Sequence, residues 1–280
     1  MIPHEVFQQA YEKIRVWSNQ KRLIQKTPVS FDSELGIYLK WENQQTTGSF
    51  KVRGALNKIL SLPEYAASKG LVTASAGNHG QGVALAAGQF RYEVIVFASE
   101  HAVEKKLNAM RSLGAQIRLV PGGYEEAEKA AIDYATLYEK TWISPYNDIE
   151  VIAGQATIAY ELVEQIQPFD IQSVLVPVGG GGLVAGIASA MEYMYEKDSI
   201  KKPKILAIQS EASAYFHDIY YLGSQDAVVE TDSLADGLSG RVENGSITIP
   251  LVKKYVDDVI LVSESEIAEA IRYAWYQYNQ

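Results

Sequence analysis

The sequence predicts an α/β fold of two domains, each a mostly parallel sheet flanked by helices. Two observations carry the prediction. Short apolar runs alternate with amphipathic stretches through most of the chain, an order that makes strands parallel and puts helices on their faces. Polar, glycine-bearing loops, around Gly48, Gly77 and Gly179–Gly182, separate strand from helix at three of these alternations. At 280 residues the length favours about two domains and permits a sizeable core.

The elements follow in order. Val6, Ala10 and Ile14 form one face of an N-terminal helix. Thr27-Pro28-Val29 is an extended break. Ile37–Trp41 is a strand, and Val52–Leu60 a helix with Ser49 as its N-cap. Leu71–Ala74 is a strand followed by a helix through Val83–Ala87, and Val94–Phe97 one followed by Val103–Leu113. Ile117–Val120 ends at Pro121-Gly122-Gly123 and leads into a helix over Tyr124–Glu139. The turn-rich Ser144–Asp148 marks a domain boundary. Then come a helix at Val151–Gln165, a buried strand at Val174–Val178 and a helix through Gly186–Tyr195. Ile205–Ile208 is a strand, Asp232–Gly245 a loop and Val259–Val262 a last strand. Ser263 or Ser265 caps the final helix, and Glu266 completes a capping box with Ser263. The predicted division is a larger domain from 1–70 with 148–280 and a smaller one from 71–147.

Composition excludes several classes of function. A formal charge of −9 argues against nucleic-acid or anionic-membrane partners. Without cysteine there is no disulfide, thiolate metal site or cysteine nucleophile. The N-terminus lacks a signal-peptide apolar core, and no segment reaches membrane-spanning length, so a soluble cytoplasmic protein is expected.

Three stretches carry chemistry. In Thr46-Thr47-Gly48-Ser49-Phe50-Lys51-Val52-Arg53-Gly54-Ala55, Lys51 falls in the first turn of a helix. The positive helix start, Phe50 and burial would all lower its pKa, and a partly neutral lysine attacks an aldehyde. For any single lysine a solvated surface position is commoner, so the other motifs decide. Val178-Gly179-Gly180-Gly181-Gly182-Leu183 joins a strand to a helix start, where open backbone amides and positive potential suit a phosphate. A flexible turn is the bland alternative, and four glycines in a row are a costly way to build one. A dinucleotide site fits less well, because no acidic residue closes the next strand: Gln209 follows Ile208. In Thr73-Ala74-Ser75-Ala76-Gly77-Asn78-His79-Gly80-Gln81-Gly82, Ser75 can cap, and the amides around Gly77–His79 can bind a carboxylate. Asn78 offers an uncharged donor and acceptor, and His79 reads as a positioning residue before a general base.

Together, in this order and spacing, these motifs resemble the serine/threonine dehydratase family of pyridoxal-phosphate (PLP) enzymes, the tryptophan-synthase-β-like group of fold type II. The resemblance covers essentially the whole chain. It implies that Lys51 bonds the PLP aldehyde with Phe50 against the ring. It implies that Asn78 meets the ring hydroxyl and that Gly179, Gly180, Gly181, Gly182 and Leu183 cradle the phosphate. Gly237 in Ala235-Asp236-Gly237-Leu238 matches a loop near the cofactor. It also implies that Ser75, Ala76, Gly77, Asn78 and His79 form the substrate-carboxylate loop. The implied reaction is α,β-elimination from a β-hydroxy amino acid (threonine, serine or 3-hydroxyaspartate) to a 2-oxo acid and ammonia, by a homodimer.

Two departures qualify that expectation. Racemases of the group carry a serine where Ala76 stands, as a base on the second cofactor face, so racemisation is the less expected activity. Members also continue past the position of Gln280 with a Ser-Gly-Gly-Asn-like turn that meets the pyridine nitrogen, so the chain resembles a C-terminally shortened form. A catalytically impaired PLP- or amino-acid-binding homologue is therefore an alternative, and a nucleotide-binding oxidoreductase a more distant one. A divalent-cation site over Glu211, Tyr215 and His217 is doubtful, since His217 stands where relatives have a second carboxylate and Asp218 fits only with a slipped register.

Overall fold

The computed structural model describes residues 2–166, 171–198 and 201–280. It divides into two compact units, Glu5–Gln165 and Ile166–Gln280, the second also taking the extreme N-terminus.

The first unit begins with α1 (His4–Lys21), which buries Phe7, Ala10 and Ile14. The buried stripe thus lies one residue round from the expected Val6. An antiparallel hairpin follows, β1 (Val29–Asp32) and β2 (Ile37–Lys40). The expected break at Thr27–Val29 therefore runs into a strand. The Asp32 carboxylate accepts the N–H groups of Glu34 and Leu35, and Gly36 takes a positive φ of 66°, which closes the turn. Next come α2 (Lys51–Ser61), a single turn α3 (Glu64–Ala67) after Pro63, and β3 (Leu71–Ala74). The alternation continues with α4 (Asn78–Gly88), β4 (Val94–Ser99), α5 (Glu104–Ser112), β5 (Gln116–Val120) and α6 (Tyr124–Leu137). The two-residue β6 (Thr141–Trp142) and α7 (Ile149–Gln165) complete the unit.

Its parallel sheet has the order β5-β4-β3-β6. Strand periodicity splits the core in two. Leu71, Val94, Val96 and Ala98 face apolar residues of α2, α4 and α5. Val72, Ala74, Ile95 and Phe97 face Ala127, Ala131 and Ala135 of α6. The sheet spans the predicted 71–147 domain, but one of its cores takes in Val52, Ala55, Leu56 and Ile59 of α2. The compact unit accordingly runs on through α7 to Gln165.

The second unit holds β7 (Ser173–Pro177), α8 (Gly182–Asp198), β8 (Lys204–Ser210) and α9 (Tyr215–Tyr221). It ends with α10 (Thr248–Tyr255), β9 (Asp258–Val262) and α11 (Glu264–Tyr278). The three strands are parallel in the order β7-β8-β9. Ser263 caps α11 as expected: its Oγ accepts the Glu266 N–H at 3.3 Å, while the Glu266 carboxylate accepts the Ser263 N–H at 2.8 Å. β7 departs from the expected buried strand, because only Val176 is buried and Leu175 is 62% exposed.

Candidate active site

In the first unit, α2 begins at Lys51. Ser49 supports that start, its hydroxyl accepting the Lys51 N–H at 3.2 Å, while Phe50 occupies the cap position. The Lys51 Nζ donates to the Pro145 carbonyl at 3.0 Å and lies 5.5 Å from the Phe50 ring centre. Burial pushes the Lys51 amine down to about 8, so a useful fraction is neutral near physiological pH.

The second motif lies in the same unit, at the start of α4. Ser75 is buried and its hydroxyl accepts the Gly77 N–H at 3.0 Å, which folds the loop back before the helix. Ala76 and Asn78 are exposed and Gly77 is part-buried. His79 is buried, and its Nε2 donates to the Ile143 carbonyl at 3.2 Å. A carbonyl only accepts, so the proton sits on Nε2 and Nδ1 is left as a buried acceptor without a hydrogen-bond partner. Burial first, and the Lys51 charge second, push the imidazole down to about 3 against the opposing Ile143 carbonyl. His79 is therefore neutral at physiological pH and suited to position rather than to donate a proton.

Glycines bring these parts together. A Cβ at Gly82 would lie 3.0–3.2 Å from the backbone of Lys51 and Val52, so α4 packs against the first turn of α2. On the opposite side of α2, a Cβ at Gly154 would lie 2.5 Å from Gly54 Cα and 2.6 Å from the Arg53 carbonyl, so α7 meets α2 backbone to backbone.

In the second unit, Gly179–Gly182 joins β7 to α8. Gly181 has a φ of +87°, a conformation that favours glycine. A Cβ there would also lie 2.5 Å from the Phe216 ring, and one on Gly179 2.8 Å from the Leu238 carbonyl. Thr248 Oγ1 donates to the Gly180 carbonyl at 2.8 Å. The loop is thus held from behind, at a helix start whose first-turn amides suit an anion. Leu183 is part-buried in the first turn of α8. Gly237 sits in the short turn Asp236–Leu238, which Leu238 brings against Gly179.

Glu211 is exposed at the head of a short 3₁₀ turn, Tyr215 is buried, and His217 Nδ1 lies 3.0 Å from Asp218. Among the described residues no three His, Cys, Asp or Glu side chains group as a metal site.

The reading of residue types missed the Pro145 carbonyl, which has no side-chain signature. It also missed the glycine contacts at 54, 82 and 154, whose only trace was small residues inside helical patterns. Arg53 was visible only as one letter of the lysine motif, yet it is fully buried and paired on both sides, with Glu42 and Glu161.

Comparisons with known proteins agree with these motifs. The family described as pyridoxal-phosphate dependent enzyme matches residues 21–278. The L-threonine ammonia-lyase of Thermotoga maritima is 40% identical over 257 residues, 90% of this chain and 62% of that protein. The catabolic L-threonine dehydratase of Escherichia coli K12 is 36% identical over 235 residues, 84% of this chain and 69% of that one. The chain spans 62–65% of the length of the first two curated relatives it matches. Among solved structures, processed threonine deaminase isoform 2 of Solanum lycopersicum superposes with a TM-score of 0.85 at 29% identity, over 99% of this chain and 79% of that one. The serine racemase of Dictyostelium discoideum gives 0.86 at 32% identity, over 99% and 87%.

Proposed function

The chain belongs to the pyridoxal-phosphate dependent enzyme family, and from that premise we propose that it is an ammonia-lyase acting on a β-hydroxy amino acid, with threonine the leading substrate. The products would be the 2-oxo acid and ammonia. The observation that carries the proposal is the Lys51 amine, pushed down to about 8 at the start of α2 and flanked by the Ser75–His79 loop of the same unit. The residues suit the cofactor: a partly neutral amine for its aldehyde, and a glycine loop at a helix start, pressed from behind by Phe216 and Leu238, for its phosphate.

PLP supplies, when bound, an electron sink for the electrons released at the substrate α-carbon. The protein does the rest. Gly179–Leu183 would hold the phosphate, Phe50 and Gly237 would border the ring, and Asn78 would meet its hydroxyl. The loop Ser75–His79 would take the substrate carboxylate on backbone amides. Lys51 Nζ would receive the α-proton as the Cα–H bond breaks, the β-hydroxyl would leave as water with a proton returned by the Lys51 ammonium, and a water molecule would then hydrolyse the released enamine to the 2-oxo acid and ammonia. His79, neutral and bonded to Ile143, would keep the loop in register without competing for that proton.

The racemase superposition supports a second reading, amino-acid racemisation, but the methyl of Ala76 carries no proton to a second face. Residues 71–147 would form the smaller, closing domain, with 1–70 and 148–280 the larger. Among the described residues no helix is long and apolar enough to cross a membrane. A homodimer working in the cytoplasm is proposed with the rest, and sizing of the purified protein tests the dimer.

Lys51→Ala should abolish 2-oxo acid and ammonia production from threonine and remove the visible absorbance of bound PLP. Borohydride reduction and peptide mapping that place the pyridoxyl group on another lysine would overturn the assignment. Rapid D/L interconversion without ammonia would favour the racemase.

A further inference from the structure

We propose that Arg53 is a positioning residue for Lys51, through a buried ion cluster that sets the register of α2 against α7. The guanidinium is fully buried. Its Nε and Nη2 donate to the two Glu42 oxygens, both at 2.8 Å, and its Nη1 and Nη2 to the two Glu161 oxygens at 2.7 and 2.9 Å. Nη1 also reaches Thr157 Oγ1 and Nη2 the Gln25 carbonyl, each at 3.2 Å. Lys40 joins the same Glu161 at 2.6 Å, so two cations face two anions. Burial, the largest single influence, would raise the Glu42 carboxyl, but Arg53 together with Thr27 and Lys40 holds it below the usual carboxylate range.

Helix geometry connects this cluster to the amine. Residues two apart on an α-helix point to nearly opposite sides. Arg53 is therefore gripped on the back of the turn whose front carries Lys51. Two double-forked ion pairs fix both rotation and axial position, which a single point charge would not. The register is repeated along α7: Asn57 Nδ2 donates to the Glu150 carbonyl at 2.7 Å, and Lys58 pairs with Asp148 at 2.6 Å. Pro145, the acceptor for Lys51, lies four residues before α7 begins. Sliding α2 along α7 would thus carry Lys51 away from Pro145 and open its amine to water.

The inference deepens the reading of Lys51 given above, but its test needs neither PLP nor substrate. The cofactor-free chain is acetylated with trace acetic anhydride across a pH series, and labelling of Lys51 is followed by mass spectrometry. Wild type should show an inflection near 8. Arg53→Lys keeps the charge and loses the forks, and should move the inflection upward toward 10.5, the ordinary lysine value. Each unit of movement lowers the neutral fraction at pH 7 about tenfold. Ile95→Val, in the sheet of the same unit, serves as the control for general loosening and should leave the inflection in place. If Arg53→Lys does not fold, Thr157→Val, which deletes one bond to the guanidinium, should shift the inflection in the same direction by less. An unchanged inflection in the folded variant, or an equal shift in the control, would overturn the proposal. Absence of lyase activity in the wild-type chain, with the Arg53→Lys shift of the inflection present, would instead count against the functional reading alone.

Discussion

The two parallel sheets are covered differently. In the four-stranded sheet, β3 is buried along its whole length and β4 nearly so, one face under α2, α4 and α5 and the other under α6. In the three-stranded sheet, one face buries Val176, Ile205, Ala207 and Val259. The other face carries Leu175 at 62% and Ile260 at 38% exposure, with Leu206 and Ile208 part-buried between them. Parallel sheets are normally covered on both faces. The comparison separates two uses of an apolar residue. In the first sheet it stabilises the unit that holds Lys51 and His79, whereas on the open face of the second it contributes little to the fold as it stands and adds apolar surface.

Paired substitutions test that contrast. Ile95→Ala, between β4 and α6, should cost about 2–5 kcal/mol in denaturant unfolding of the unit that contains it. A cost below 1 kcal/mol by this estimate would mean that the covered sheet is not the stable one. Gly154→Ala should cost about 1–3 kcal/mol, because its new methyl meets backbone that cannot rotate away. Wild-type stability in that variant would show that α2 and α7 are not locked together.

Acid should act on the covered unit through His79. Its folded pKa of about 3 lies below the ordinary 6.5, so between those values the unfolded chain binds the extra proton. Stability should fall as pH drops through that window, and His79→Asn should flatten the slope by up to one proton. An unaltered slope would place the acid sensitivity elsewhere. Leu175→Thr should have the smallest effect, within about 0.5 kcal/mol, with improved solubility. A loss of 2 kcal/mol or more, well beyond the usual surface range, would mean that the open face supports the fold after all.

Much of this was legible from residue types. Val94–Phe97 is a continuous apolar run and Leu71–Ala74 is one broken only by Thr73, and both proved buried. Ser263 and Glu266 announced their capping box. The lysine motif, the Ser75–His79 loop and the glycine loop each stand at a strand-to-helix junction, where such chemistry is expected. The limits have physical causes. β1 was hidden because Thr27-Pro28 reads as a break, although Pro tolerates a position just before an edge strand. β6 is two residues long and has no period to detect. The α9 and α10 helices are seven and eight residues long, about two turns each, too short for a helical period to stand out. Val174–Val178 looked like a buried strand because an apolar run predicts burial only if something covers it. The pairing of Arg53 with Glu42 and Glu161 depends on contacts 11 and 108 residues away, which no local pattern encodes.

The meeting of Gly54 with Gly154 also limits how this region can vary. In most cores a larger residue on one helix can be offset by a smaller one on its neighbour, so sequence drifts while volume stays constant. Here both partners already have the least possible volume, and a methyl on Gly154 would meet only main chain. No second substitution can make room. An added methyl must separate the two helices, and the separation begins one residue from Arg53 and three from Lys51. A change far from any reacting atom would then appear first as a misplaced amine.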